Sequence, residues 1–123
     1  MDDEESIRRI GSVVLRKLGL EPTAVPDGES ALREFEAAQS AGRPFSLLIL
    51  DLTIPNGIGG QATIEAIRKS GSNVPAIVCS GYSRDPVMAN FSDYGFQAVV
   101  PKPYDIATLT ETIKRLLPGI RTL

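Results

Sequence analysis

The sequence predicts a parallel α/β sheet with helices on both faces. Three observations carry that reading. Apolar residues recur at helical spacing in five segments, short unbroken apolar runs lie between those segments, and the two patterns alternate along the chain. A length of 123 residues holds one such domain and leaves no room for a second sizeable core.

Ile7, Ile10, Val14 and Leu18 predict a first helix, and Gly19 stands where a left-handed residue would end it. Residues 20–25 are a weaker strand candidate, because the break at Pro22 suits an edge. Asp27 is placed to N-cap a second helix with Ala31, Leu32, Phe35 and Ala38 on its inner face. The run 46–50 is unbroken rather than alternating, as expected for a parallel strand covered on both sides. A third helix over 60–70 is expected to bury Ala62, Ile64 and Ile67 and to close at Gly71. Residues 74–79 form the next buried strand. Asp85 and Pro86 supply a cap and a first helical position for a fourth segment that ends at Gly95. Residues 98–100 are the last strand. A fifth helix from about Asp105 aligns Ile106, Leu109, Ile113 and Leu116 before Pro118 stops it.

Composition removes several function classes. Thirteen Lys and Arg against fifteen Asp and Glu give a formal charge of −2, without the basic surplus of a nucleic-acid binder, so no direct nucleic-acid partner is expected. The absence of histidine rules out Ser-His-Asp and Cys-His nucleophile schemes. A lone cysteine, Cys79, forms no internal disulfide or zinc site and reads as an inert strand residue. No apolar run approaches the ~18 residues needed to span a bilayer. The acidic start Asp2-Asp3-Glu4-Glu5 has the wrong sign for a secretory or mitochondrial signal, so the expected location is cytoplasmic with no direct membrane contact.

What chemistry remains gathers at the strand ends. Asp51 follows Leu47-Leu48-Ile49-Leu50, Ser80 follows Ala76-Ile77-Val78-Cys79, and Lys102 follows Ala98-Val99-Val100-Pro101. In a parallel sheet these carboxyl ends share one edge, where open α/β folds bind ligands. Asp2 and Asp3, before the first helix, are expected at the same edge. Three crowded carboxylates repel unless a cation sits among them, and hard oxygen ligands suit Mg²⁺. With a lysine nearby, the set fits phosphoryl transfer, and Asp51 is the best nucleophile candidate. Singly, each residue has an ordinary reading: Asp51 as a turn former, Asp2 and Asp3 as helix-start acids, Ser80 as turn chemistry before Gly81, Lys102 as a surface cation. Gly57-Ile58-Gly59-Gly60 lacks the lysine of a phosphate loop and reads as a structural turn.

Together, Asp2-Asp3-Glu4-Glu5-Ser6, Leu48-Ile49-Leu50-Asp51-Leu52 with Ile54-Pro55, Ser80-Gly81 and Lys102-Pro103 resemble the receiver domain of two-component response regulators. The likeness runs from residue 2 to about 117, placing a receiver domain at 1–117 and a short tail at 118–123. The loops 51–60 and 80–88 look like receivers attached to hybrid sensor histidine kinases. The resemblance implies a flavodoxin-like doubly wound parallel sheet of strand order 2-1-3-4-5. It implies that Asp51 accepts a phosphoryl group from a histidine kinase or histidine phosphotransfer domain. Asp3, Asp51 and the Thr53 carbonyl would bind Mg²⁺, with Asp2 acting partly through water. Ser80 and Lys102 would bind the acyl phosphate and couple it to altered protein contacts. Thr53 and Tyr82 occupy positions that tune hydrolysis in this family. The module would catalyse its own phosphorylation and dephosphorylation rather than act as a conventional enzyme.

The sequence departs from that pattern in three places. Only Met1 precedes Asp2, so the first, central strand is missing or truncated; about four buried side chains at ~1.5–3 kcal/mol each amount to roughly 6–12 kcal/mol. Upstream residues, strand exchange with a neighbouring chain in a dimer, or direct pairing of the second and third strands would each answer the gap. Val99 stands where many receivers carry an aromatic switch residue, and the loop 55–60 is one residue longer than the commonest form. Two other functions compete: a phosphorylation-independent receiver-like interaction domain, and a haloacid-dehalogenase-type phosphatase. The phosphatase expects an acid two positions after the nucleophile, where this chain has Thr53.

Overall fold

The computed structural model describes residues 1–82 and 84–119; Ser83 and positions 120–123, which include most of the expected tail, lie outside the described residues. Helix α1 (Glu5–Lys17) carries Glu5 in its first turn and Arg16 and Lys17 in its last, complementing the helix dipole. Gly19 at φ +80° ends it, and the Leu20 amide closes on the Leu15 carbonyl at 3.0 Å. Helix α2 (Gly28–Ser40) starts where the Asp27 carboxylate accepts from the Ser30 amide at 2.8 Å. Strand β1 (Leu48–Asp51), helix α3 (Gly60–Lys69) and the fully buried strand β2 (Ala76–Ser80) follow. Helix α4 (Pro86–Ala89), a 3₁₀ turn (Phe91–Tyr94), strand β3 (Ala98–Pro101) and helix α5 (Ile106–Leu116) complete the order.

The three strands pair in the order β1-β2-β3, all parallel, with Asp51 opposite Cys79 and Ser80 opposite Pro101. Pleating sends alternate strand residues to opposite faces. Ile77, Cys79, Ala98 and Val100 pack with Val14 and Leu18 of the α1 end and Leu109 and Ile113 of α5. Leu50, Ala76 and Val78 pack on the other face with Ile64 of α3, Val87 and Met88 of α4, and Phe96. The sheet is therefore wound with helices on both sides, the flavodoxin-like arrangement cut down to the last three strands.

Four expectations need correction. Residues 20–25 form no strand. Pro22 cannot donate, and the Val25 carbonyl accepts from the Asp2 amide at 3.1 Å, so this segment does not pair directly with β1. Instead Met1 lies between: its ammonium donates to the Ile49 carbonyl at 2.8 Å and its carbonyl accepts from the Asp51 amide at 3.0 Å. On α3, Thr63 is buried and Ala62 exposed, because Thr63 Oγ1 satisfies itself on the Gly59 carbonyl at 2.8 Å. The fourth helical segment is broken at Asn90, whose amide and side chain both turn back to the Pro86 carbonyl. Ile106, expected on the inner stripe of the fifth helix, is exposed at the first position of α5.

Candidate functional site

Asp51 ends β1, Ser80 ends β2, and Lys102 directly follows β3, so three neighbouring strands deliver them to one sheet edge. The Lys102 amide donates to the Ser80 carbonyl at 2.9 Å, which ties the third strand's exit to the second's. Ser80 Oγ accepts from the Tyr82 amide at 3.0 Å, orienting the hydroxyl at the strand end, while the Tyr82 ring is exposed.

Asp2 arrives from the opposite side of β1. Its backbone is anchored between Val25 and Arg8, whose guanidinium donates to the Asp2 carbonyl at 2.8 Å. Asp2 Oδ1 accepts from the Glu4 amide at 3.0 Å, setting the turn into α1. The Lys102 ammonium then spans both acids, 2.9 Å from Asp51 Oδ2 and 2.6 Å from Asp2 Oδ2. Only the Asp51 contact has hydrogen-bond geometry, so Asp2 Oδ2 is buried and held by charge alone.

Burial and pairing oppose one another here. Asp51 is 4% exposed, and loss of water raises its carboxyl above the ordinary range despite the Lys102 hydrogen bond; the nearby Asp2 charge pushes the same way. For Lys102, burial acts to lower the ammonium, but the two carboxylates outweigh it and the net shift is upward. Burial lowers the Met1 ammonium, pushes the Cys79 thiol up to about 12, and raises the neighbouring Tyr104 phenol.

Carboxylate oxygens of Asp2, Asp3 and Asp51 lie within 4.8 Å of one another, with Asp3 exposed and the other two buried. This donor set fits a hard divalent ion: three carboxylates, one oxygen lacking a hydrogen bond, and an open side at Asp3. Thr53 sits two residues beyond Asp51 with an exposed side chain, at the same loop. The site therefore brings Asp2, Asp3, Asp51 and Lys102 together and sets Ser80 on the adjoining strand end.

Sequence reasoning missed three participants. Arg8 positions Asp2 through its main chain, a contact with no side-chain pattern to betray it. Met1 acts through backbone groups alone. Tyr104, one residue past Pro103, packs against the cluster containing Cys79.

The chain resembles known proteins along nearly its whole length. The family model described as response regulator receiver domain matches residues 1–114. The chain is 32% identical over 117 residues to the sensory transduction protein RegX3 of Mycolicibacterium smegmatis, covering 95% of this chain and 48% of that protein. It is 25% identical over 120 residues to the sensor kinase CckA of Brucella abortus, covering 95% of this chain and 12% of the kinase. The response regulator protein TrrA of Thermotoga maritima, solved in complex with Mg²⁺-BeF, superposes with a TM-score of 0.79 at 29% identity. That match covers 94% of this chain and 93% of TrrA. The chain spans about half the length of the first curated relatives it matches.

Proposed function

The chain belongs to the response regulator receiver domain family, and from that premise we propose that Asp51 is its phosphoacceptor. Receivers take phosphoryl groups from histidine kinases. In this reading an Asp51 carboxylate oxygen attacks the phosphorus of a phosphohistidine in line; the P–N bond breaks, the imidazole leaves, and an acyl phosphate forms. The bridge from Lys102 to Asp51 and Asp2, at 2.9 and 2.6 Å, is the observation that carries it. That ammonium holds the acceptor carboxylate in place and afterwards faces the added negative charge. Ser80, one residue past the Asp51 rung, supplies a hydroxyl for a phosphoryl oxygen. Asp2, Asp3, Asp51 and the Thr53 carbonyl would hold Mg²⁺, whose bound charge neutralises the incoming phosphoryl oxygens.

Val99 is partly buried against the second core cluster, so the readout does not use an aromatic ring at this position. We assign it to movement around Ser80 and to changed protein contacts. A hybrid sensor kinase is the narrower assignment for the parent protein, supported by the loops 51–60 and 80–88. Gene sequence flanking this chain tests it: a kinase core supports the assignment, and a lone output domain removes it.

Incubation with Mg²⁺ and acetyl phosphate, followed by intact mass, tests the main proposal. One phosphoryl group should be gained, and Asp51→Asn should abolish the gain. No gain in the parent chain favours a phosphorylation-independent interaction domain. Modification retained in Asp51→Asn overturns the site.

A further inference from the structure

The loop that leaves β1 is gripped by the first turn of α2, a contact that the site as described leaves without a role. Residues 52–59 join β1 to α3, and Thr53 stands on this loop. At its near end the Leu52 amide donates to the Cys79 carbonyl at 2.8 Å, and the Leu52 carbonyl accepts from the Gly60 amide at 3.3 Å. The buried Ile54 side chain anchors the loop two positions on. The chain then reverses through Pro55 and Asn56, the latter at φ +60°, and the Gly57 amide closes on the Ile54 carbonyl at 3.4 Å, as in a type II turn.

Beyond the turn, α2 holds Ile58 by both of its backbone groups. The Gly28 amide donates to the Ile58 carbonyl at 3.0 Å, and the Ile58 amide donates to Glu29 Oε1 at 3.3 Å. The other carboxylate oxygen lies along Gly57, where an added Cβ would meet Glu29 Oε2 at 3.4 Å. Among the described residues, these two bonds are the ones that join 55–58 to another element, and only Glu29 supplies its partner from a side chain. The turn passes this hold back to the Ile54 carbonyl, one peptide unit from the carbonyl of Thr53. The Thr53 amide in turn acts on the Asp51 carboxylate, favouring its charged form against burial.

We propose that Glu29 is a positioning residue for the cation site: by accepting from the Ile58 amide it fixes the loop that presents the Thr53 carbonyl. The side chain acts here as a hydrogen-bond acceptor, and its charge is incidental. The inference rests on the reading of Asp2, Asp3, Asp51 and the Thr53 carbonyl as a divalent-cation site, and adds to it a residue 22 positions before Asp51 on a different element. Glu29 is exposed, so its replacement leaves the core intact.

The test is titration of the chain with Mg²⁺, followed through backbone amide NMR shifts. Glu29→Ala should weaken Mg²⁺ binding about tenfold, the low end for outer partners of metal ligands. Glu29→Gln drops the charge but keeps an oxygen for the Ile58 amide, and should bind within about twofold of the parent. Without metal, hydrogen exchange at the Ile58 amide should quicken in Glu29→Ala and not in Glu29→Gln. A loss below about threefold in Glu29→Ala overturns the proposal. Equal losses in both variants assign the effect to charge and overturn it as well. If the parent chain takes up no Mg²⁺, the cation-site reading falls and this inference with it. If the parent binds and Glu29→Ala binds equally, this inference falls alone.

Discussion

The surroundings of Asp51 oppose the charge of its carboxyl. Because burial raises its carboxyl above 3.8 in the folded chain, the favourable contribution exists only below that unfolded value and is lost as pH climbs through the raised one. At neutral pH the ionised side chain subtracts from stability. Asp51→Asn should therefore raise the melting temperature at pH 7 by about 2–4 °C, with the gain closing toward pH 3. A lower melting temperature at pH 7 would contradict the balance of burial over pairing. Cys79 has the same sign at the alkaline end. The folded chain holds its proton to about 12 and the unfolded chain releases it near 9.0, so stability is full below pH 9 and falls above it. Chemical denaturation between pH 9 and 11.5 should show a slope about 1.4 kcal/mol per pH unit steeper than in Cys79→Ala. Asp51, Ser80 and Lys102 were legible because each ends an apolar run. Arg8 and Met1 were not, since they act on main-chain groups that any sequence offers.

At the scale of elements, glycines decide how closely α3 approaches the site strand and α2 approaches α3. A Cβ on Gly59 would strike the Leu52 carbonyl, and one on Gly60 would lie 2.9 Å from the Asp51 carbonyl. The sequence reads the loop 55–60 as lengthened and its glycines as a structural turn; what they supply is close approach to the end of β1, at negative φ in the case of Gly59. Gly28 is similar, with Thr63 Oγ1 and the Ile58 side chain in the way and the Ile58 carbonyl at 2.7 Å. Gly28→Ala should cost about 2 kcal/mol by overpacking. Gly11, inside α1 with open space around it, gives the opposite case: Gly11→Ala should gain about 0.5–1 kcal/mol. Urea denaturation of both variants checks the pair, and equal effects would remove the contrast. The break in the fourth segment was hidden because Asp85, Pro86 and Gly95 mark its ends correctly while Asn90 competes from within.

Across the whole molecule, parallel strands were readable because burial on both faces leaves an unbroken apolar run. Residues 20–25 could not be read that way. Whether they act as a strand depends on a neighbour remote in sequence, and here that neighbour is a single rung at Met1 and Asp2. The helical segments were readable from their apolar spacing, though Ile10 and Val13 of α1 lie exposed. Among the described residues no helix is long and apolar enough to cross a membrane. The fold brings the amino-terminal acids, the end of β1 and the exit of β3 to one point, and the proposed chemistry needs that convergence. Reductive trapping measures it most directly. After exposure to Mg²⁺ and acetyl phosphate, borohydride converts an aspartyl phosphate to homoserine, which peptide mapping locates. Homoserine at position 51 alone is the expected result; its appearance at another acid, or at none, would contradict the assignment.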